Sequence, residues 1–115
     1  MKTTRYCLAL DLKDDPELIK EYEKYHEKIW PEMTASIKEG GVVSSQIYRI
    51  ETRLFMILEV DDTFSFERKA KMDEENPKVQ EWEDLMWNFQ KPLPWAAPGQ
   101  KWMLLEKVFD LKENG

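Results

Sequence analysis

The single histidine of the chain, His26, is the residue most suited to proton-transfer chemistry. It follows Tyr22 by four residues and precedes Trp30 by four, so the three share one face of a predicted helix. Imidazole has a pKa near 6.5, and acid–base assistance accelerates reactions by about 10²- to 10⁴-fold. That is sufficient to open a sugar ring, which needs one proton at the ring oxygen and loses another from the anomeric hydroxyl. A hydrogen-bonded structural histidine is the alternative.

Aromatic side chains are numerous for a chain of 115 residues, with five Trp, four Tyr and five Phe. A flat aromatic ring packs well against the apolar face of a pyranose, while polar groups fix the hydroxyls. Each of these rings, taken alone, is more typical of a core. The candidates for sugar contact are Tyr25, Trp30, Tyr48, Trp82, Trp87, Trp95 and Trp102.

Other chemistries find little support in the sequence. A zinc site requires three or four ligands, usually His or Cys, and the chain has one residue of each type. The acidic residues 73–75 lack the ligand spacing of a calcium loop. The four glycines form no phosphate-binding motif, and Ser44 and Ser45 lie in no nucleophile elbow. We therefore expect no metal and no cofactor.

Composition also bounds the partners and the compartment. The formal net charge of −6 disfavours nucleic acid and anionic membranes. Cys7 is the only cysteine, which excludes an intramolecular disulfide and favours a reducing compartment. The apolar stretch near the N-terminus is too short for a signal segment or a membrane span. These features predict a cytoplasmic protein with no nucleic-acid and no membrane partner.

The pattern of apolar residues predicts the elements that position these side chains. Apolar positions recur at helical spacing between residues 18 and 37, and Pro31 either breaks this helix or opens a second one. Strands are predicted at 6–12, 42–50, 53–60 and 102–111, helices at 16–39 and 64–89 with a restart at Pro77, a loop at 91–101 and a frayed tail at 112–115.

This β-α-β-β-α-β order predicts an α+β fold of the ferredoxin-like, split βαβ type, formed by one domain spanning residues 1–115. Such a sheet carries helices on one face only. Because the predicted strands are apolar on both faces, we expect a second copy to cover the other face. The sequence thus predicts a homodimer of the dimeric α/β-barrel type.

The segment Tyr22-Glu23-Lys24-Tyr25-His26, followed by Ile29-Trp30-Pro31-Glu32, resembles the first-helix signature of the L-rhamnose mutarotases and their L-fucose branch. The similarity extends through Ile47-Tyr48, 54–60, Val79 to Trp82 and 106–109. This resemblance implies a dimeric ferredoxin-like enzyme that needs no cofactor. It also implies that His26 is the proton donor, that Tyr22 binds the sugar and that Trp82 belongs to the binding site.

Two positions depart from the rhamnose pattern. Ser45 stands where those enzymes place a substrate-binding tyrosine, and Glu83 follows Trp82 where they often have a second tryptophan. Segments 8–12 and 92–102 look more like the L-fucose branch. The resemblance therefore implies a mutarotase that favours L-fucose over L-rhamnose.

Our hypothesis is that His26 protonates the ring oxygen of a 6-deoxyhexose, while Tyr22, a carboxylate or a water molecule handles the anomeric hydroxyl. The sugar is expected to lie against Trp82, with Trp30, Tyr48 and Trp95 as further contacts. Two alternatives stay open: a small monooxygenase on the same scaffold, with His26 binding haem or assisting oxygen chemistry, and a sugar-binding module without catalysis.

Overall fold

The computed structural model describes the backbone of residues 2–114 and the side chains of residues 2–112. Strands and helices alternate in the predicted order up to the end of the second helical region. The elements are β1 (Thr4–Leu12), α1 (Pro16–Glu27), α2 (Pro31–Glu39), β2 (Val42–Ile50), β3 (Arg53–Val60), α3 (Phe66–Glu74), α4 (Pro77–Met86), β4 (Gln90–Lys91), β5 (Met103–Leu104) and α5 (Leu111–Asn114). None of the described helices is long and apolar enough to cross a bilayer.

The sheet is antiparallel and has the strand order β2-β3-β1-β4, with β5 also paired to β1. Leu8 lies opposite Met56 in the β1–β3 ladder, and Tyr48 lies opposite Phe55 in the β2–β3 ladder. If β4 and β5 are counted as one interrupted strand, this is the ferredoxin-like order. The predicted α+β fold class is confirmed.

The fourth strand differs from the prediction. Gln90 pairs with Leu12, and Met103 pairs with Ala9. These two pairs are three residues apart in β1 but thirteen residues apart in the partner segment. Ten extra residues leave the sheet in the loop 92–102, because the three prolines of this segment cannot donate to a ladder. The predicted strand at 102–111 was wrong in extent, since only Met103–Leu104 is strand.

The predicted frayed tail at 112–115 was also wrong where the structure describes it. Residues Leu111–Asn114 form one helical turn. Asp110 caps this turn, because its Oδ1 accepts a hydrogen bond of 2.9 Å from the backbone N–H of Lys112. Gly115 lies outside the described residues.

Local sequence signals explain where the first helices begin and end. Asp15 caps α1, because its Oδ1 accepts hydrogen bonds from the backbone N–H groups of Glu17 and Leu18 at 3.0 and 3.3 Å. Pro31 has no N–H to donate and becomes the first residue of α2. The second of the two readings of Pro31 is confirmed, and α1 ends one residue after His26.

The two faces of the sheet differ in what covers them. Side chains alternate along a strand, and the residues of β1 and β3 that face the helices are buried in two clusters with them, including Leu8, Leu12, Leu54, Leu58 and Val60. We call the other side the open face: in β1–β3 it carries Cys7, Ala9, Tyr48, Phe55 and Ile57. Among the described residues, none of these five belongs to either cluster.

Candidate functional site

His26 lies in the last turn of α1, between two aromatic rings. Its ring centroid is 4.3 Å from that of Tyr22 and 5.6 Å from that of Trp82. His26 Nδ1 is 2.9 Å from the backbone carbonyl oxygen of Tyr22. Because a carbonyl oxygen only accepts, Nδ1 must carry the proton that is donated. In the neutral imidazole, Nε2 is therefore the basic nitrogen.

Burial controls the charge of this ring. Removal from water lowers the pKa of His26 below its usual value of 6.5, and the bond to the Tyr22 carbonyl offsets this only in part. The imidazole is consequently neutral at physiological pH, which leaves Nε2 ready to accept a proton.

A cleft of about 230 Å³ opens beside His26, between α1 and the helix-facing side of β2 and β3. Its wall combines charged groups with two aliphatic side chains. The lining residues are Tyr22, Glu23, His26, Glu27, Ile47, Arg49 and Leu54. A larger groove of about 360 Å³ runs along α3, but its lining includes neither a histidine nor an aromatic ring. The cleft beside His26 is therefore the better candidate for a sugar site.

Tyr22 forms part of the cleft wall, yet its hydroxyl is buried. Desolvation raises the pKa of Tyr22 to about 12, an effect that the nearby Gln90 side chain partly counters. Neither Tyr22 Oη nor Gln90 Oε1 has a hydrogen-bond partner within the described structure. The phenol stays neutral at physiological pH, so Tyr22 is unsuited to take the proton of an anomeric hydroxyl.

Two tryptophans predicted for the site come together with His26. Trp82, in α4, is only 4% exposed, and its ring lies 5.0 Å from that of Trp30 in an edge-to-face arrangement. Trp30 lies between α1 and α2, immediately before Pro31. The structure thus brings Tyr22, His26, Trp30 and Trp82 into one aromatic group on the helical side of the sheet.

Tyr48 and Trp95 lie elsewhere. Tyr48 is 55% exposed and occupies the open face, on the opposite side of the sheet from His26. Trp95 is 70% exposed in the loop 92–102, and its ring stacks on Arg53, whose Cζ is 5.6 Å from the ring centroid. Arg53 in turn binds Asp11 through two hydrogen bonds of 2.7 and 3.1 Å. Within one protomer these two rings do not join the cleft.

Sequence reasoning missed Arg49 and Glu23 as site residues. Arg49 Nε donates to Glu23 Oε2 at 3.0 Å, and both residues line the cleft. Two signals could have located them: Glu23 precedes His26 by three residues on one helix, and Arg49 alternates with Ile47 on one side of β2. Gln90 was missed as well, because nothing in its sequence neighbourhood marks it as buried.

Metal ligation has no support in the described side chains, where no group of three or more His, Cys, Asp or Glu is placed to hold an ion.

Comparison with known proteins places the chain in a family. Residues 5–111 match the family model described as L-rhamnose mutarotase. The chain belongs to the L-rhamnose mutarotase family. Among relatives, it is 42% identical over 115 residues to a protein of Xanthomonas campestris pv. campestris named L-fucose mutarotase, with 98% of this chain and 92% of that protein covered. The mutarotases of this family are isomerases, and the present chain is a sugar mutarotase.

Solved structures agree with the fold. The L-rhamnose mutarotase of Formosa agariphila superposes with a TM-score of 0.69 at 22% identity, covering 94% of this chain and 98% of that one. A protein described as dimeric and ferredoxin-like, from an uncultured marine organism, gives a TM-score of 0.54 at 11% identity, with 96% and 93% covered. Both support the ferredoxin-like assignment made for this mutarotase from its strand order.

Proposed function

We propose that this protein interconverts the α and β anomers of a free 6-deoxyhexose, with L-fucose preferred over L-rhamnose and His26 as the proton-transfer residue. The observation that carries the proposal is the bond between His26 Nδ1 and the Tyr22 carbonyl at the cleft wall. It fixes the tautomer and the orientation of the imidazole, which is the arrangement a general acid–base group requires.

The neutral imidazole can move both protons of the reaction. Nε2 removes the proton from the anomeric hydroxyl O1, and the imidazolium then delivers it to the ring oxygen O5 as the C1–O5 bond breaks. Both oxygens are bonded to C1, so one nitrogen can reach both. After the C1–C2 bond rotates, the reverse transfers close the ring on the other face. The lowered pKa of His26 keeps the starting, neutral form populated at physiological pH.

The aromatic group supplies the remaining wall. We assign Tyr22, Trp82 and Trp30 to sugar binding, because the rings of Tyr22 and Trp82 flank His26 and the ring of Trp30 packs on that of Trp82. Of the three, Tyr22 lines the cleft itself. Tyr22 acts in this scheme through its ring rather than as a base, since its hydroxyl is buried and burial raises the pKa of the phenol to about 12.

The preference for L-fucose rests on similarity and on one position of β2 on the same side as the cleft residues Ile47 and Arg49. The relative of 42% identity is named L-fucose mutarotase. Ser45 lies on the same side of β2 as Ile47 and Arg49, two positions before Ile47. A serine there has a smaller side chain than the tyrosine expected from the rhamnose pattern, and it leaves more space beside this end of the cleft.

Anomer exchange measured by saturation-transfer NMR tests the proposal. Wild-type protein should accelerate exchange of L-fucose more than exchange of L-rhamnose. In His26→Ala the accelerated rate should fall by about 10²- to 10⁴-fold, because the proposed proton-transfer group is removed. Lys24→Ala is the matched control: Lys24 lies two residues before His26 on α1, is exposed and does not line the cleft.

Unaccelerated exchange of both sugars in the presence of folded wild-type protein would contradict the mutarotase assignment. If sugar binds without faster exchange, the protein is a binding module. Full activity in a folded His26→Ala variant would instead remove His26 from the mechanism.

We also propose that the protein is a homodimer in which a second copy covers the open face. Apolar side chains on this face include Phe55 and Ile57, and Tyr48 is 55% exposed at its edge strand. Beyond β5, Val108 and Phe109 are 88% and 62% exposed. Exposed apolar surface of this extent is typical of a protein–protein interface. The interface would also cover Tyr48. The sugar contact predicted for Tyr48 would then be made with a sugar bound by the partner subunit.

The cysteine content of the chain, rather than its fold, bears on the compartment in which the protein acts. Cys7 is the only cysteine of the chain, and its thiol is free and half-buried, as suits a reducing compartment. We propose a cytoplasmic location on these grounds.

A further inference from the structure

The ion pair between Arg49 and Glu23 lies at the cleft, and a further hydrogen bond to the backbone fixes the arginine although the pair is partly exposed. Arg49 belongs to the edge strand β2, and 35% of its side chain is exposed. Its Nε donates to Glu23 Oε2 at 3.0 Å, and its Nη1 donates to the backbone carbonyl oxygen of Glu51 at 2.7 Å. Two bonds from different nitrogens fix the plane of the guanidinium beside the cleft.

The free energy of folding does not explain why this ion pair is so well ordered. Half-exposed pairs contribute little to stability, because water solvates the separated charges almost as well. Within the described part of the chain, the bonds of this pair use Nε and Nη1 of Arg49 and Oε2 of Glu23. They leave Nη2 of the guanidinium and Oε1 of the carboxylate for a ligand in the cleft.

We propose that the Arg49–Glu23 ion pair binds two neighbouring hydroxyl groups of the sugar and thereby determines which 6-deoxyhexose the enzyme prefers. This inference rests on the proposed mutarotase function. A guanidinium donates and a carboxylate accepts, so together they match a vicinal diol, in which each hydroxyl can both donate and accept. Both charged groups line the same cleft as His26.

The position of the pair relative to His26 selects the hydroxyls it contacts. Glu23 precedes His26 by three residues in α1, a rise of about 4.5 Å along the helix. With C1 of the sugar at His26, the ion pair lies toward the far side of the ring, at C3 and C4. L-Fucose has its cis diol at C3 and C4, whereas L-rhamnose has it at C2 and C3. The pair can therefore distinguish the two sugars.

Exchange kinetics on both sugars test this assignment. In Arg49→Leu, the KM for L-fucose should rise roughly 10- to 100-fold, the range expected for lost hydrogen bonds to a charged group. The preference for L-fucose over L-rhamnose should fall toward one. The pH at which kcat is half-maximal should stay unchanged, because His26 is untouched. Arg49→Lys keeps the charge but loses the fork and should be intermediate.

Arg5→Leu is the matched control. Arg5 also pairs with a glutamate, with its Nη2 2.7 Å from Glu59 Oε1, but this pair does not line the cleft. The control should leave KM and sugar preference at wild-type values. Glu23→Gln should reproduce the change in preference seen in Arg49→Leu, and the double variant should add little to either single change.

Direct binding separates this inference from the mutarotase assignment. Titration of each sugar against tryptophan fluorescence should show weaker L-fucose binding in Arg49→Leu than in Arg5→Leu. If wild-type protein is an active mutarotase, and Arg49→Leu and Glu23→Gln both keep its KM and its sugar preference, the role of the ion pair is overturned. The mutarotase function would stand in that case. If wild-type protein binds neither sugar and accelerates neither exchange, the function and this inference fail together.

Discussion

The helical side of the sheet and the open face use the same kinds of residue to different ends. Trp82 is 4% exposed on the helical side and touches His26. Trp95, in the loop 92–102, is 70% exposed and stacks on Arg53, which lies on the same side of β3 as the open-face residue Phe55. Leu54 is buried among the helices, while its strand neighbour Phe55 faces the other way. On the helical side, the helices and the sheet together form a buried core, and the cleft lies on this side. The open face carries apolar side chains that belong to neither core cluster of the described structure, and in our proposal a second copy of the chain covers them.

Truncating the two tryptophans should produce the largest contrast between these regions. Trp82→Ala is expected to lower the free energy of unfolding by about 3–5 kcal/mol, because it empties a closely packed position. Trp95→Ala, the matched control of the same residue type, should change it by less than about 0.5 kcal/mol. Urea unfolding at one fixed protein concentration measures both. Equal losses would contradict the division between core and uncovered face.

A charge on the open face should affect assembly rather than the protomer. Tyr48→Asp is expected to convert a dimer, of twice the chain mass of 13.8 kDa, into a monomer, since an unpaired carboxylate is costly to bury in an interface. Sedimentation velocity gives the mass. Phe66→Asp is the control, because Phe66 is also aromatic and 41% exposed but belongs to α3 on the helical side.

A wild-type protein that sediments as a monomer would rule out the dimer. A Tyr48→Asp protein that remains dimeric would place the interface elsewhere, and Phe66→Asp would then show whether the helical side supplies it.

The smallest effect concerns the titration of His26. Burial lowers the pKa of this imidazole, so the neutral, active form persists as the pH falls below 6.5. We expect kcat to stay level through neutral pH and to decline only at a pH below 6.5, as protons occupy Nε2. The measurement is anomer exchange of saturating L-fucose as a function of pH. A rate that instead rises on acidification would mean that the imidazolium is the donor and that a carboxylate takes the O1 proton.

Much of the fold could be predicted because local signals and periodicity agree. Asp15 and Pro16 predict the start of α1, and the two strand-length segments 42–50 and 53–60, joined at Glu51-Thr52, predict β2 and β3. The fourth strand could not be predicted in this way. A strand of two residues, Gln90–Lys91, is too short to show an alternation of apolar and polar residues. Its position is set by pairing with β1, which its own residue types do not reveal.

The candidate site shows the same limit. Helical spacing and the family signature were enough to predict that His26, Tyr22, Trp30 and Trp82 lie together. For Arg49 the sequence offers only its alternation with Ile47, because its contact with Glu23, 26 residues away in the sequence, is formed by the fold. The placement of Tyr48 and Trp95 required the strand register, which residue type does not reveal.

The interrupted fourth strand also makes the loop 92–102 a natural point for variation in length. Gln90 and Met103 are each held by β1 independently, so a longer or shorter connection shifts the register of neither. Doubling such a loop costs only about 0.6 kcal/mol of closure entropy. A peptide epitope or a grafted recognition loop could be accommodated there while the sheet and the cleft around His26 keep their structure.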